Sequence, residues 1–151
     1  MITRRDMVVA AIGMVATAAI VTLAQSVAKP VMHSCTFNWN DFKVELTKIG
    51  SRRVCFDANT ATLQQLECHV TTLNPGETPH APHQHPEEEL LIVKQGVLES
   101  MQNGVTNRVE AGGLIFEASN ERHGLRNVGT NQAVYYVIKF YPHDLPKPQA
   151  K

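Results

Sequence analysis

The chain has 151 residues, with 14 Lys+Arg balancing 14 Asp+Glu and 43% hydrophobic residues. That length supports one domain with a sizeable core rather than two. The zero net charge excludes bulk electrostatic attraction to nucleic acid or to an anionic membrane.

Residues 1–28 read as a signal segment outside the fold. Arg4 and Arg5 precede an uncharged run from Met7 to Ala24, and small residues follow. This is the charged, apolar and small-residue order of a secretory signal. The paired arginines resemble a twin-arginine export signal, which Asp6 and Met7 match only loosely. Cleavage after Ala28 or Ala24 gives an exported protein, periplasmic or extracellular. The competing reading is an uncleaved membrane anchor through residues 7–24, whose length approaches the ~20 residues of a membrane span.

Cys35, Cys55 and Cys68 are odd in number. Two of them could pair in an oxidising compartment, or all could serve as small buried hydrophobes. No Cys-x-x-Cys spacing occurs, so a cysteine zinc or redox site has no support.

Residues 36–142 form the predicted domain. "DFKVELTKI" alternates, "RRVCF" follows a Gly-Ser turn, and "LECHVTTL" alternates again up to Asn74-Pro75-Gly76. The one predicted helix is short, around Ala61 to Leu66. Beyond Glu89 the pattern gives a strand, a turn at Gly96, a strand, an Asn103-Gly104 hairpin turn and a third strand. "LIFEA", "HGLRNVG" and "QAVYYVIKFY" add more. Many short strands with frequent turn signals predict an all-β antiparallel sandwich or barrel. Residues 143–151 read as a loose polar tail.

Parity assigns Val134, Tyr136, Ile138 and Phe140 to the interior, with Tyr135, Val137, Lys139 and Tyr141 outside. The reversed parity would bring Lys139 and Tyr135 to the cavity. Leu91, Val93, Met101 and Phe116 are assigned to the core, which makes the cavity apolar and poor in charge. His69, between polar Glu67 and Thr71, is expected to point outward. Glu87 and Glu88 are assigned to water, Arg126 to the outside, and His80 to a solvated loop with a role at the cavity mouth as the alternative.

The chemistry concentrates in "HAPHQHPEEELLIVKQG", residues 80 to 96. Residues two apart on a strand share a face, so His83 and His85 point together. Glu89 opens an apolar strand, where a lone carboxylate is costly to bury without a positive partner. Two imidazoles and a carboxylate suit Fe(II), Mn(II), Ni(II) or Zn(II), and His123 offers a further nitrogen.

These residues resemble the cupins. The first cupin motif places a glycine, His-x-His, a glutamate and a second glycine as Gly76, His83, His85, Glu89 and Gly96 stand here, with one extra residue after Gly76. The second motif matches at Gly112, His123 and Asn127. Ala118 replaces its usual proline, and Asn120 its usual glycine. Asn tolerates a left-handed backbone better than most residues, so that turn is expected to survive.

The resemblance implies a single double-stranded β-helix (jelly-roll) barrel. It implies one divalent transition metal ion, Fe or Mn before Zn or Ni, held by His83, His85, Glu89 and His123 with two adjacent positions open. It also implies a small-molecule ligand or substrate, and homodimers occur among relatives. Three functions remain open on this scaffold. One is a metal-dependent enzyme of oxygenase, decarboxylase or isomerase type, lacking a convincing acid/base partner beyond the ligands. The others are a non-catalytic metal or small-ligand sensor and a structural or storage barrel.

Overall fold

The computed structural model describes residues 30–145; the signal segment and most of the predicted tail lie outside them. The described chain is nine strands and one 3-10 turn, Trp39–Asp41. In chain order the strands are β1 (Val44–Thr47), β2 (Gly50–Ala58), β3 (Leu63–Leu73), β4 (Glu88–Gln95), β5 (Val97–Gln102), β6 (Val105–Glu110), β7 (Leu114–Glu117), β8 (His123–Asn127) and β9 (Ala133–Pro142). A six-stranded sheet runs β1-β2-β3-β9-β4-β7 and a three-stranded sheet β6-β5-β8, with all pairings antiparallel. This is the jelly-roll barrel that the sequence predicts.

The predicted helix at Ala61 to Leu66 does not form. Leu63 already belongs to β3, which continues to Leu73. Two hydrogen bonds to the Thr60 hydroxyl, from the Thr62 and Leu63 amides, turn the chain straight into the strand.

Two backbone positions show how the turns are specified. Gly96 joins β4 to β5 at φ 85°, and a Cβ there would lie 2.7 Å from the Ala133 Cα, so only glycine fits. Asn120 adopts φ 58°, the left-handed conformation expected of it, and its amide donates to the His85 carbonyl at 2.7 Å.

The core cluster is Leu73, Leu91, Val93, Leu98, Ile115, Leu125, Ala133, Tyr135 and Val137. The interior face of β9 is therefore Ala133, Tyr135, Val137, Lys139 and Tyr141, opposite to the predicted parity. The reason lies on the other face of the sheet. Tyr136 packs there in an apolar cluster with Phe37, Trp39, Phe42, Phe56, Cys55 and Cys68, so the sheet is covered on both sides. With both faces apolar, alternation no longer reports which one faces the barrel.

The same inversion affects β7. Ile115 and Glu117 are buried while Leu114 and Phe116 are exposed, so Phe116 is not core. Leu91 and Val93 are buried as expected, Met101 is half-buried, and Arg126 is outside. The cysteines are free thiols: Cys35 exposed, Cys55 half-buried and Cys68 buried.

Candidate metal centre

The barrel encloses a cavity of about 520 Å³, within the range of small-molecule sites. The sheet register sets its chemistry. Glu117 on β7 lies opposite Glu89 on β4, Glu89 opposite Lys139 on β9, and Lys139 opposite Glu67 on β3. One inward row across four strands thus carries four ionisable side chains. The next inward row, Ile115, Leu91, Val137 and His69, is mostly apolar.

The histidines reach this row from two directions. His83 precedes β4 and forms an isolated bridge with His123 of β8. Each of the two amides donates to the other residue's carbonyl at 2.9 Å. The two sequence motifs are thereby joined through their backbones, and the His83 and His123 rings lie 4.7 Å apart, centre to centre. His85 stands at the same distance from His123.

The ring orientations fit a cation. His85 Nδ1 donates to the Glu87 carbonyl at 3.0 Å and His123 Nδ1 to the Glu121 carbonyl at 2.9 Å. A carbonyl only accepts, so each neutral ring keeps its hydrogen on Nδ1 and presents Nε2 as a lone pair. His85 Nε2 and His123 Nε2, with His83 Nδ1, are buried atoms that make no hydrogen bond in the structure. Buried polar atoms are seldom left so. Donor atoms of His83, His85 and His123 lie within 4.8 Å of one another, as do those of Glu89, Glu117 and His123. The described residues thus contain a His/Glu cluster able to hold a metal ion.

The four residues singled out in the sequence, His83, His85, Glu89 and His123, converge here. Glu89 Oε1 lies 3.0 Å from His85 Nε2 and also contacts the Lys139 ammonium. Burial alone would raise the Glu89 carboxyl, but His85 and Lys139 outweigh it and hold the group well below the usual carboxylate range. Burial lowers His85, yet Glu89 outweighs this and leaves its value raised. Burial and the neighbouring imidazoles bring His83 down to about 4. Burial lowers His123 too.

Glu117 was not singled out in the sequence. It is 4% exposed, and its Oε2 sits 3.3 Å from His123 Nε2. Burial and the facing Glu89 charge push it up to about 8. Apolar neighbours hid it: in "LIFEA" the larger hydrophobes Leu114 and Phe116 outvote Ile115 and Glu117. Only the pairing of Glu117 with Glu89 could have reversed that vote.

Three other expectations need correction. His69 points into the cavity, where its Nδ1 lies 3.1 Å from Glu67 Oε1. Arg52 Nη2 reaches the same carboxylate oxygen at 2.6 Å. Polar neighbours on β3 signal a polar interior here, not an outer face. Glu87 lines the cavity 3.7 Å from the Lys139 ammonium, whereas Glu88 is exposed as expected. The cavity is therefore rich in charge rather than apolar. His80 is exposed, and its ring packs 4.1 Å from that of His83 at the cavity wall.

Comparison with known proteins bears on the fold. Residues 69–139, which include all four singled-out residues, match the family described as "Cupin domain". No curated protein matches the sequence. Similar solved structures include KdgF from Halomonas sp. (19% identity, TM-score 0.59, covering 74% of this chain and 98% of that one). A predicted oxalate decarboxylase from Thermotoga maritima is similar at 17% identity and TM-score 0.57, covering 71% and 99%. The polyketide cyclase RemF from Streptomyces resistomycificus is similar at 19% identity and TM-score 0.57, covering 77% and 89%. At these identities the likeness concerns the fold. Residues 69–139 are similar to the cupin domain, and the described residues share the jelly-roll fold of these structures.

Proposed function

We propose that this protein is a metal-dependent enzyme acting on a small polar organic compound, with His83, His85, Glu89 and His123 as ligands of one divalent ion, Fe or Mn before Zn or Ni. The carrying observation is the convergence of three buried imidazole nitrogens without hydrogen-bond partners beside a buried carboxylate. When bound, such an ion supplies Lewis acidity or a site for dioxygen.

The chain's own residues supply the rest. Lys139, raised above its ordinary value because Glu89 and Glu87 outweigh the effect of burial, keeps a positive charge beside the ligands. It can orient an anionic or hydroxyl oxygen of a substrate and donate a proton to it. His69, held by Glu67, and Arg52 present further polar groups to the same space. Leu91, Val137 and Leu125 form its apolar wall. The acid/base partners that sequence alone did not reveal are thus available, which favours an enzyme over a sensor.

The reaction type is that of an oxygenase, decarboxylase or isomerase. Small hydroxy, keto and carboxylate compounds, incubated with metal-loaded protein in the presence and absence of oxygen, test the proposal. Product formation that stops on metal removal and on substitution of Lys139 is expected. Turnover surviving complete metal removal, or tight binding without product, would overturn it.

We also infer export, on the pattern of residues 1–28 alone. N-terminal sequencing of the protein from a producing cell's envelope and medium tests this, with a start after Ala24 or Ala28 expected. An intact N-terminus in the membrane fraction would favour the anchor through residues 7–24.

A further inference from the structure

We propose that Glu117 is a second carboxylate ligand of the metal, so that the ion sits among three imidazoles and two carboxylates with one open position instead of two. This rests on the metal-centre reading above and extends it.

Two independent features place Glu117 there. Register sets it opposite Glu89, with both side chains inward and buried. His123, itself 3% exposed, turns an Nε2 without a hydrogen-bond partner toward the Glu117 carboxylate. Donor atoms of Glu89, Glu117 and His123 lie mutually within 4.8 Å, and His123 is shared with the trio of His83 and His85. The two trios share the residue His123, as a single ion held by both would require. Lys139 already contacts Glu89, leaving Glu117 as the carboxylate that a cation would compensate. Two facing carboxylates in a buried site repel unless a cation or a proton lies between them.

The consequence concerns specificity. Two carboxylates neutralise a divalent ion, and oxygen donors shift preference toward Mn(II) and Fe(II) and away from softer ions. A single open position admits one substrate oxygen or one dioxygen, not both together. Chemistry in which the substrate binds through one atom, or reacts without coordinating, is then favoured over bidentate capture.

The test uses the full-length protein loaded with Mn(II), with E117Q, E117A and H83A variants. Affinity is read by competition with a chromophoric chelator, and coordination by electron paramagnetic resonance and X-ray absorption. For E117A and E117Q the expected result is an affinity loss above about 100-fold, larger than the 10–100-fold typical of a residue that only orients a ligand. One oxygen donor fewer should accompany it. Unchanged affinity and coordination in E117Q, with H83A abolishing binding, would overturn this proposal and leave the four-ligand centre standing. Absence of Mn(II) binding in the unsubstituted protein, with Fe(II) and Zn(II) also failing, would overturn the centre itself. Folding of each variant is checked by its thermal transition.

Discussion

Glu89 and Glu117 face each other across β4 and β7, both buried, and Lys139 contacts Glu89 from the opposite side. The metal-free barrel therefore sets two facing carboxyl groups beside one ammonium, and this arrangement governs how the protein should respond to pH, substitution and metal.

Glu117 carries a proton up to about pH 8 in the folded chain, against an ordinary value of 4.5. Between those values the folded state binds the extra proton, so stability falls as pH rises through this window. The thermal midpoint of metal-free protein should drop between pH 5 and pH 8.5 by more than ~4 °C, the effect of about 1 kcal/mol in a small domain. E117Q should abolish most of that slope. An unchanged slope in the variant would show that Glu117 is not the titrating group.

Removal of Lys139 leaves Glu89 without its ammonium. K139M should destabilise the metal-free protein by about 3 kcal/mol, as breaking a buried pair does. The loss should be smaller with metal bound and largely cancelled in K139M/E89Q. Chemical denaturation of the four metal-free proteins measures the coupling. Additive single effects would contradict it.

Asn127 is completely buried, and its side chain ties three segments together. Its Nδ2 donates to the Leu73 and Asn131 carbonyls at 2.8 and 2.9 Å, and its Oδ1 accepts from the Gly129 amide at 2.9 Å. N127A leaves those backbone groups unpaired and should cost about 3 kcal/mol. It should also weaken metal binding, because β8 carries His123. Urea unfolding and chelator competition read the two effects separately.

Gly96 and Gly104 share φ 85°, but only Gly96 is crowded, by Ala133. G104A should cost about 1–2 kcal/mol, the conformational penalty alone. G96A should cost at least twice as much, since backbone atoms must also move. Equal midpoints in urea would show that the β4–β9 packing yields more easily than the contact implies.

The strands, the turn at Asn120 and the convergence of the four motif residues were legible because local signals and spacing agree there. The interior of β7 and β9 was not legible. An apolar count assumes that the barrel interior is the more apolar face, and a site-bearing barrel reverses this. Lys139, Glu117, Glu67 and His69 point inward because they serve the cavity, while Tyr136 and its aromatic neighbours cover the outer face of the sheet. Pairing partners, rather than alternation, carry that information, and one sequence does not display them. The helix expected at 61–66 failed because strand pairing with β2 and β9 overrode a weak local preference.

The most direct test of the account is the metal content of purified protein, measured for the unsubstituted chain and for H83A/E89A. The account predicts one equivalent of a divalent transition metal per chain, Fe or Mn foremost, lost in the double variant while the barrel still melts cooperatively. Folded protein that takes up no metal, or that retains it in H83A/E89A, would contradict it.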